Sequence, residues 1–245
     1  VALQILARRG IRVAAHIRSI AGIQDVPFDP VCCGSDQFAA LVGKVFPVLD
    51  DEAGLAMQAA IGGARAARDS VGGVIECACV GLPAGVGAPM FDGIENVVAK
   101  LLFGIPAVKG VEFGAGFAAA DMYGSQNNDP IVLDEAGHAT CRTNNAGGIL
   151  GGISTGMPVI VRAAFKPTPS IAEEQSTIDI VEGCQARLSV PGRHDPCVVV
   201  RAVPVVEAAM ALAVIDCLAS DGVLGPVSDS AVDPQVLERT RTLFG

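Results

Sequence analysis

VPVVEAAMALAVIDCL, residues 203–218, decides how the rest of the chain is read. Its only charges are Glu207 and Asp216. At about 100° per residue these lie roughly opposite each other, so a helix here has no single polar stripe. A helix that is apolar almost all round is buried in protein. The other long uncharged run, 143–161, holds five glycines, two asparagines and a proline. That composition makes a poor membrane helix, and no membrane partner is expected.

Working outward, the opening VALQILARRG reads as the end of a helix: Leu3, Ile5 and Leu6 are apolar, Arg8 and Arg9 form a basic last turn, and Gly10 closes it. No N-cap and no initiating Met precede it, so the expectation is a chain that starts inside a helix with upstream sequence missing. IRVAAHI follows as a strand, and lone His16 reads as a strand-surface residue rather than a ligand. A loop with Pro27, Pro30 and CCGSD leads to a helix over 51–68, acidic at its start and basic at its end. Gly54, Gly62 and Gly63 weaken that helix, so it needs close packing. A strand over 74–80, a helix over 94–103, a strand in AVKGVEFG, a polar turn at GSQNND and a strand in VIVRAAFKP come next. Residues 168–190 read as a variable stretch. Asp233-Pro234 caps a last helix over 235–243. Strands and helices mix without a clean βαβ rhythm, and neither a repeat nor a composition shift marks a boundary, so the pattern predicts one α+β domain over residues 1–245.

The 245 residues are 51% hydrophobic, rich in glycine and almost free of Tyr and Trp, as a tightly packed globular chain would be. A net charge of −9 excludes a nucleic-acid partner, which needs clustered Lys and Arg, and suits solubility. The eight cysteines form no C-x-x-C pair. They read as small buried hydrophobes of a reducing cytoplasm, with Cys77 and Cys79 on one side of a strand.

GRHDPC, residues 192–197, gathers a guanidinium, an imidazole, a carboxylate and a thiol. A metal site there lacks further ligands, since His16 and His138 have no ligand spacing. GISTG at 152–156 matches a nucleophile elbow, but a Gly-rich segment precedes Ser154 and a β-branched strand follows Met157-Pro158. Adjacent His194 and Asp195 also diverge too far to act as base and orienter. An anion pocket fits better. Arg193 can fork onto phosphate or carboxylate, Lys166 stands at a strand end before a proline turn, and AGGILGG and STG offer unobstructed backbone N–H groups.

GLPAGVGAPMFD (81–92), AVKGVEFGAGF (107–117), GSQNND (124–129), TNNAGGILGGISTGMPVIVRAAFKPTPSI (143–171) and GRHDPCVVVRAVPVVEAAM (192–210) occur in this order. Together they resemble chorismate synthase along almost the whole chain; residues 172–190 and the tail are not diagnostic. The resemblance implies a sandwich of long buried helices between antiparallel β-sheets, assembled as a cytoplasmic homotetramer. It implies conversion of 5-enolpyruvylshikimate 3-phosphate to chorismate by 1,4-anti-elimination of phosphate, with reduced FMN and no net redox change, as the last common step toward the aromatic amino acids. It places Pro106, Ala107, Gly151, Lys166, Pro167, Thr168, Pro169, Ser170 and Arg193 against the FMN. Arg193 also contacts the substrate phosphate, and Asp195 lies near the reactive face, where it positions or relays a proton. His194 is structural in this scheme. Some members add an NADP-linked flavin reductase, for which no separate motif is visible.

Two departures qualify that expectation. Pro106 stands where some members have Asn, so it contributes only backbone or packing. The family's N-terminal part, with its histidines, several arginines and an RSSARET flavin motif, has no counterpart in the sequence. The expectation is therefore weak or no activity for this polypeptide alone. The alternative reading is an inactive fragment or a divergent flavin-binding remnant.

Overall fold

The computed structural model describes residues 1–224 apart from Arg193. Both that guanidinium and the helix expected over 235–243 lie outside the described residues. Helix α1 (Ala2–Ala7) runs into the Arg8-Arg9 pair, and Gly10 at φ 72° turns the chain so that Ile11 N–H bonds Leu6 C=O at 3.0 Å. Strands β1 (Arg12–Ile20) and β2 (Ile23–Gln24) follow. A short helix α2 (Ser35–Leu41) occupies part of what reads in sequence as a loop. Helix α3 (Asp51–Ala66) starts where Asp50 accepts the Glu52 N–H at 2.9 Å, a side-chain N-cap. Strand β3 (Gly73–Val80), helix α4 (Ile94–Phe103) and strand β4 (Val108–Phe113) match their expected positions.

Helix α5 (Gly124–Asn127) makes one turn of the expected GSQNND loop. Two small ladders come next, β5 (Ile131–Leu133) with β6 (Ala139–Cys141), and β7 (Ile149–Leu150) with β8 (Ile153–Ser154). Strand β9 is Val159–Phe165. The stretch 168–190 is not featureless, since β10 (Gln175–Asp179) and β11 (Cys184–Leu188) pair within it as an antiparallel ribbon. Helix α6 spans Val199–Ser220, starting four residues before the apolar run that announced it.

The main sheet has the order β2-β1-β3-β9-β4, antiparallel throughout. Side-chain alternation divides it into two faces. Val13, Ala15, Ile17, Ile75, Cys77, Cys79, Val159, Val161 and Ala163 point to one face, where α6, α4 and α1 pack. Helix α6 contributes Val206, Met210 and Val214, each side chain worth about 1.5–3 kcal/mol when removed from water. Glu207 is buried and Asp216 exposed, as their opposed positions require. Helix α4 adds Ile94, Val98 and Leu102, one stripe at a spacing of four. Ala14, Ala78, Val80 and Ile160 point to the other face, under Phe28, Phe38 and Leu41. The fold is thus mixed α+β, with a long buried helix against antiparallel sheet.

Helix α3 packs less closely than its glycines suggest. Gly54 is pressed against Val48, whereas Gly62 and Gly63 face open space.

Candidate functional site

Strand register brings three motif segments and the 69–72 connection to one end of the sheet. Gly73 at the start of β3 pairs with Phe165 at the end of β9, and Val108 at the start of β4 pairs with that same Phe165. The segments entering and leaving these strands therefore meet. Ala107, at φ 74°, directs its carbonyl to the Lys166 N–H at 2.9 Å. Ser70 Oγ donates to the Thr168 carbonyl at 2.6 Å, and Val71 N–H donates to the Pro196 carbonyl at 2.8 Å. Residues 69–72 thus tie the 166–170 segment to the 192–197 loop. Pro106, Ala107, Lys166, Pro167 and Thr168 come together here, with Pro169 and Ser170 just beyond.

Among the described residues, the Lys166 ammonium and the Thr168 and Ser170 hydroxyls have no hydrogen-bond or ion-pair partner, and Lys166 is exposed. A free ammonium with two uncommitted hydroxyls two and four residues on is a donor set suited to phosphate or carboxylate oxygens.

In the 192–197 loop, the His194 ring N–H donates to the Val190 carbonyl at 2.9 Å, a bond that braces the turn. Asp195 Oδ1 accepts the Cys197 N–H at 3.3 Å, and Oδ2 faces Arg201 Nη1 at 3.4 Å; the carboxylate remains 32% exposed. Cys197 is buried, and burial pushes its thiol up, so it is no ready nucleophile.

Gly151 lies elsewhere. It occupies the β7–β8 turn at φ 61°, beside Gly152, whose carbonyl accepts the N–H of Ile94 at the start of α4. Pro106 follows the other end of that ten-residue helix, about 15 Å along its axis. Within one chain, then, Gly151 and Lys166 stand near opposite ends of α4. Ser154 of the G-x-S-x-G sequence is also structural. Its Oγ donates to the Pro83 carbonyl at 2.6 Å and accepts the Val86 N–H at 2.9 Å, locking the 81–89 loop.

A second polar constellation escaped the sequence reading. His16 is not on the surface: it is 0% exposed, with Nδ1 2.9 Å from Asp25 Oδ2 and Nε2 3.1 Å from Glu76 Oε2. His16, Glu76, Arg162 and Glu112 are register partners across β1, β3, β9 and β4. Arg162 Nε bonds Glu112 at 2.6 Å, and its Nη1 stands 3.6 Å from Glu76 Oε1. The row Asp25–His16–Glu76–Arg162–Glu112 thus alternates in charge along the face opposite α6. Both ring nitrogens of His16 meet carboxylate oxygens, an arrangement that only the doubly protonated ring satisfies on both sides. Burial pulls the His16 value down, but the hydrogen bonds and charges of Asp25 and Glu76 outweigh it and raise it. For Asp25, burial pushes upward, and the bonds from His16 and from the Leu49 and Asp50 N–H groups prevail and lower it. The available signal was a lone charge in each of two otherwise apolar strands, Glu76 in β3 and Arg162 in β9.

The sequence profile of the family described as chorismate synthase matches residues 1–219. The chain belongs to the chorismate synthase family. It is 45% identical to the chorismate synthase of Methanocella arvoryzae over 95% of this chain and 61% of that protein. It is 56% identical to that of Archaeoglobus fulgidus over 64% of this chain and 43% of that protein. A crystal structure of chorismate synthase superposes with a TM-score of 0.73 at 25% identity, covering 99% of this chain and 65% of that one. The chain therefore spans about three-fifths of the length of the curated chorismate synthases it matches.

Proposed function

We propose that the protein serves chorismate synthase chemistry, the 1,4-anti-elimination of phosphate from 5-enolpyruvylshikimate 3-phosphate, with the sheet-end cluster as one wall of the site. The observation that supports this most is the meeting of the 106–107, 166–170 and 192–197 segments, the second of which carries an uncommitted ammonium and two hydroxyls. Those donors fit a phosphate-bearing ligand, whether FMN or substrate. Lys166 would neutralise phosphate charge, and Thr168 and Ser170 would orient its oxygens. Pro106, Ala107, Pro167 and Pro169 would supply a stiff backbone edge against the flavin, since three of the four are prolines. Arg193 would add a forked contact. Asp195, held by Cys197 N–H and Arg201, is fixed in orientation yet open to solvent, as a group that receives or passes the C6 proton must be. Reduced FMN, when bound, supplies electron density that helps phosphate leave. Gly151 would reach the same flavin only from the other end of α4 or from a second copy.

Eight unpaired thiols suit a reducing cytoplasm. Phe91 and Phe117, 82% and 83% exposed, are surface that a homotetramer would cover.

The test is chorismate formation from 5-enolpyruvylshikimate 3-phosphate with reduced FMN under anaerobic conditions, comparing the protein with Lys166→Ala. A loss of about 100-fold or more in the variant is expected, and equal turnover would contradict the assignment. A second reading is a flavin-binding chain without synthase activity. FMN binding without any chorismate would select it.

A further inference from the structure

A cavity of about 350 Å³ opens on the sheet face away from α6. Its floor is Glu76 and Arg162, its walls include Phe28, Pro27 and Ile160, and Arg142 stands among its lining residues. Glu76 is 1% exposed. Its Oε2 is fully engaged, facing His16 Nε2 at 3.1 Å and accepting the Phe28 N–H at 2.7 Å. Its Oε1 has no donor within hydrogen-bond distance among the described residues and faces Arg162 Nη1 at 3.6 Å, too far for a bond. Arg162 commits Nε to Glu112 and Nη2 to the Gly114 carbonyl, each at 2.6 Å, which leaves Nη1 turned toward the same gap. A group that donates to Glu76 Oε1 and accepts from Arg162 Nη1 completes both, and a hydroxyl does this with one atom. Arg142 is exposed and has no partner among the described residues. It offers a fork for an anion.

We propose that this cavity binds a small ring-bearing hydroxy acid, with its hydroxyl between Glu76 and Arg162, its ring against Phe28, Pro27 and Ile160, and its carboxylate on Arg142. The size suits a single ring with short substituents, since small-molecule pockets begin near this volume. The site lies on mid-strand residues rather than at the strand ends near Lys166, so it does not rest on the flavin assignment.

Mandelate is a simple probe of this arrangement. It is titrated into the protein by calorimetry beside phenylacetate, which lacks the hydroxyl, and benzyl alcohol, which lacks the carboxylate. The expected result is saturable binding of mandelate, at least tenfold weaker binding of both analogues, and at least a tenfold loss in Arg142→Ala. Arg142 is exposed, so that variant keeps the fold, which an unchanged thermal midpoint confirms. Added FMN is expected not to displace mandelate. No saturation up to about 10 mM would mean that water alone fills the gap and would overturn the proposal. Equal binding by Arg142→Ala, equal binding of phenylacetate, or displacement by FMN would overturn it as well.

Discussion

His16 and Glu76 face each other in register across β1 and β3, with Nε2 and Oε2 3.1 Å apart and neither side chain open to solvent. A buried charge pair is weak evidence of net stabilisation, but breaking one is costly because the remaining charge is stranded. Glu76→Ala is expected to lower unfolding free energy by about 3–5 kcal/mol, read from urea midpoints. A change below about 1 kcal/mol would mean that His16 is neutral or water-compensated.

The same row predicts a pH profile. His16 is raised from 6.5 on folding, so its stabilisation is complete below that value and is lost as pH climbs through the raised one. Asp25 is lowered from 3.8, so its contribution holds above 3.8 and is lost as pH falls through the depressed value. The thermal midpoint is expected to be highest between these limits and to decline on both sides. His16→Gln should remove the alkaline decline attributable to the ring. A wild-type curve that stays flat above 6.5 would count against a charged His16.

Gly114, at φ 54°, sits where a Cβ would run into the Asn145 carbonyl and the Gly147 N–H. That close approach holds the glycine-rich loop against the end of β4. Gly114→Ala is expected to cost more than about 1 kcal/mol through strain and displacement of residues 145–147. Gly62→Ala, in the open on α3, is expected to gain a few tenths to about 1 kcal/mol. Thermal midpoints that move in the same direction for both would refute the contrast.

These cases also indicate what could be read from the sequence. The boundaries of α4 and the course of β3 and β9 follow from apolar spacing and flanking glycine or proline, which are local signals. The burial of α6 was legible from its apolar run only for the face that holds Glu207; the opposite face, with Val205, Leu212 and Asp216, is exposed. The depth of His16 was not, because a lone histidine in a strand looks the same whether its partners are water or Asp25 and Glu76, nine and sixty residues away. The ribbon of β10 and β11 was missed because most of its residues are exposed and no inward apolar set fixes its register. At the candidate site, sequence motifs named the residues, whereas the grouping of Ala107 with Lys166 and the distance to Gly151 depend on strand register and the length of α4.

The most direct test of the sheet-end site is FMN fluorescence titration of the protein and of Lys166→Ala. Lys166 is exposed and has no partner among the described residues, so its removal is expected to leave the thermal midpoint unchanged. Saturable quenching by the wild-type protein, weakened about tenfold or more in the variant, is the predicted result. No saturation, or identical curves for the two proteins, would contradict it.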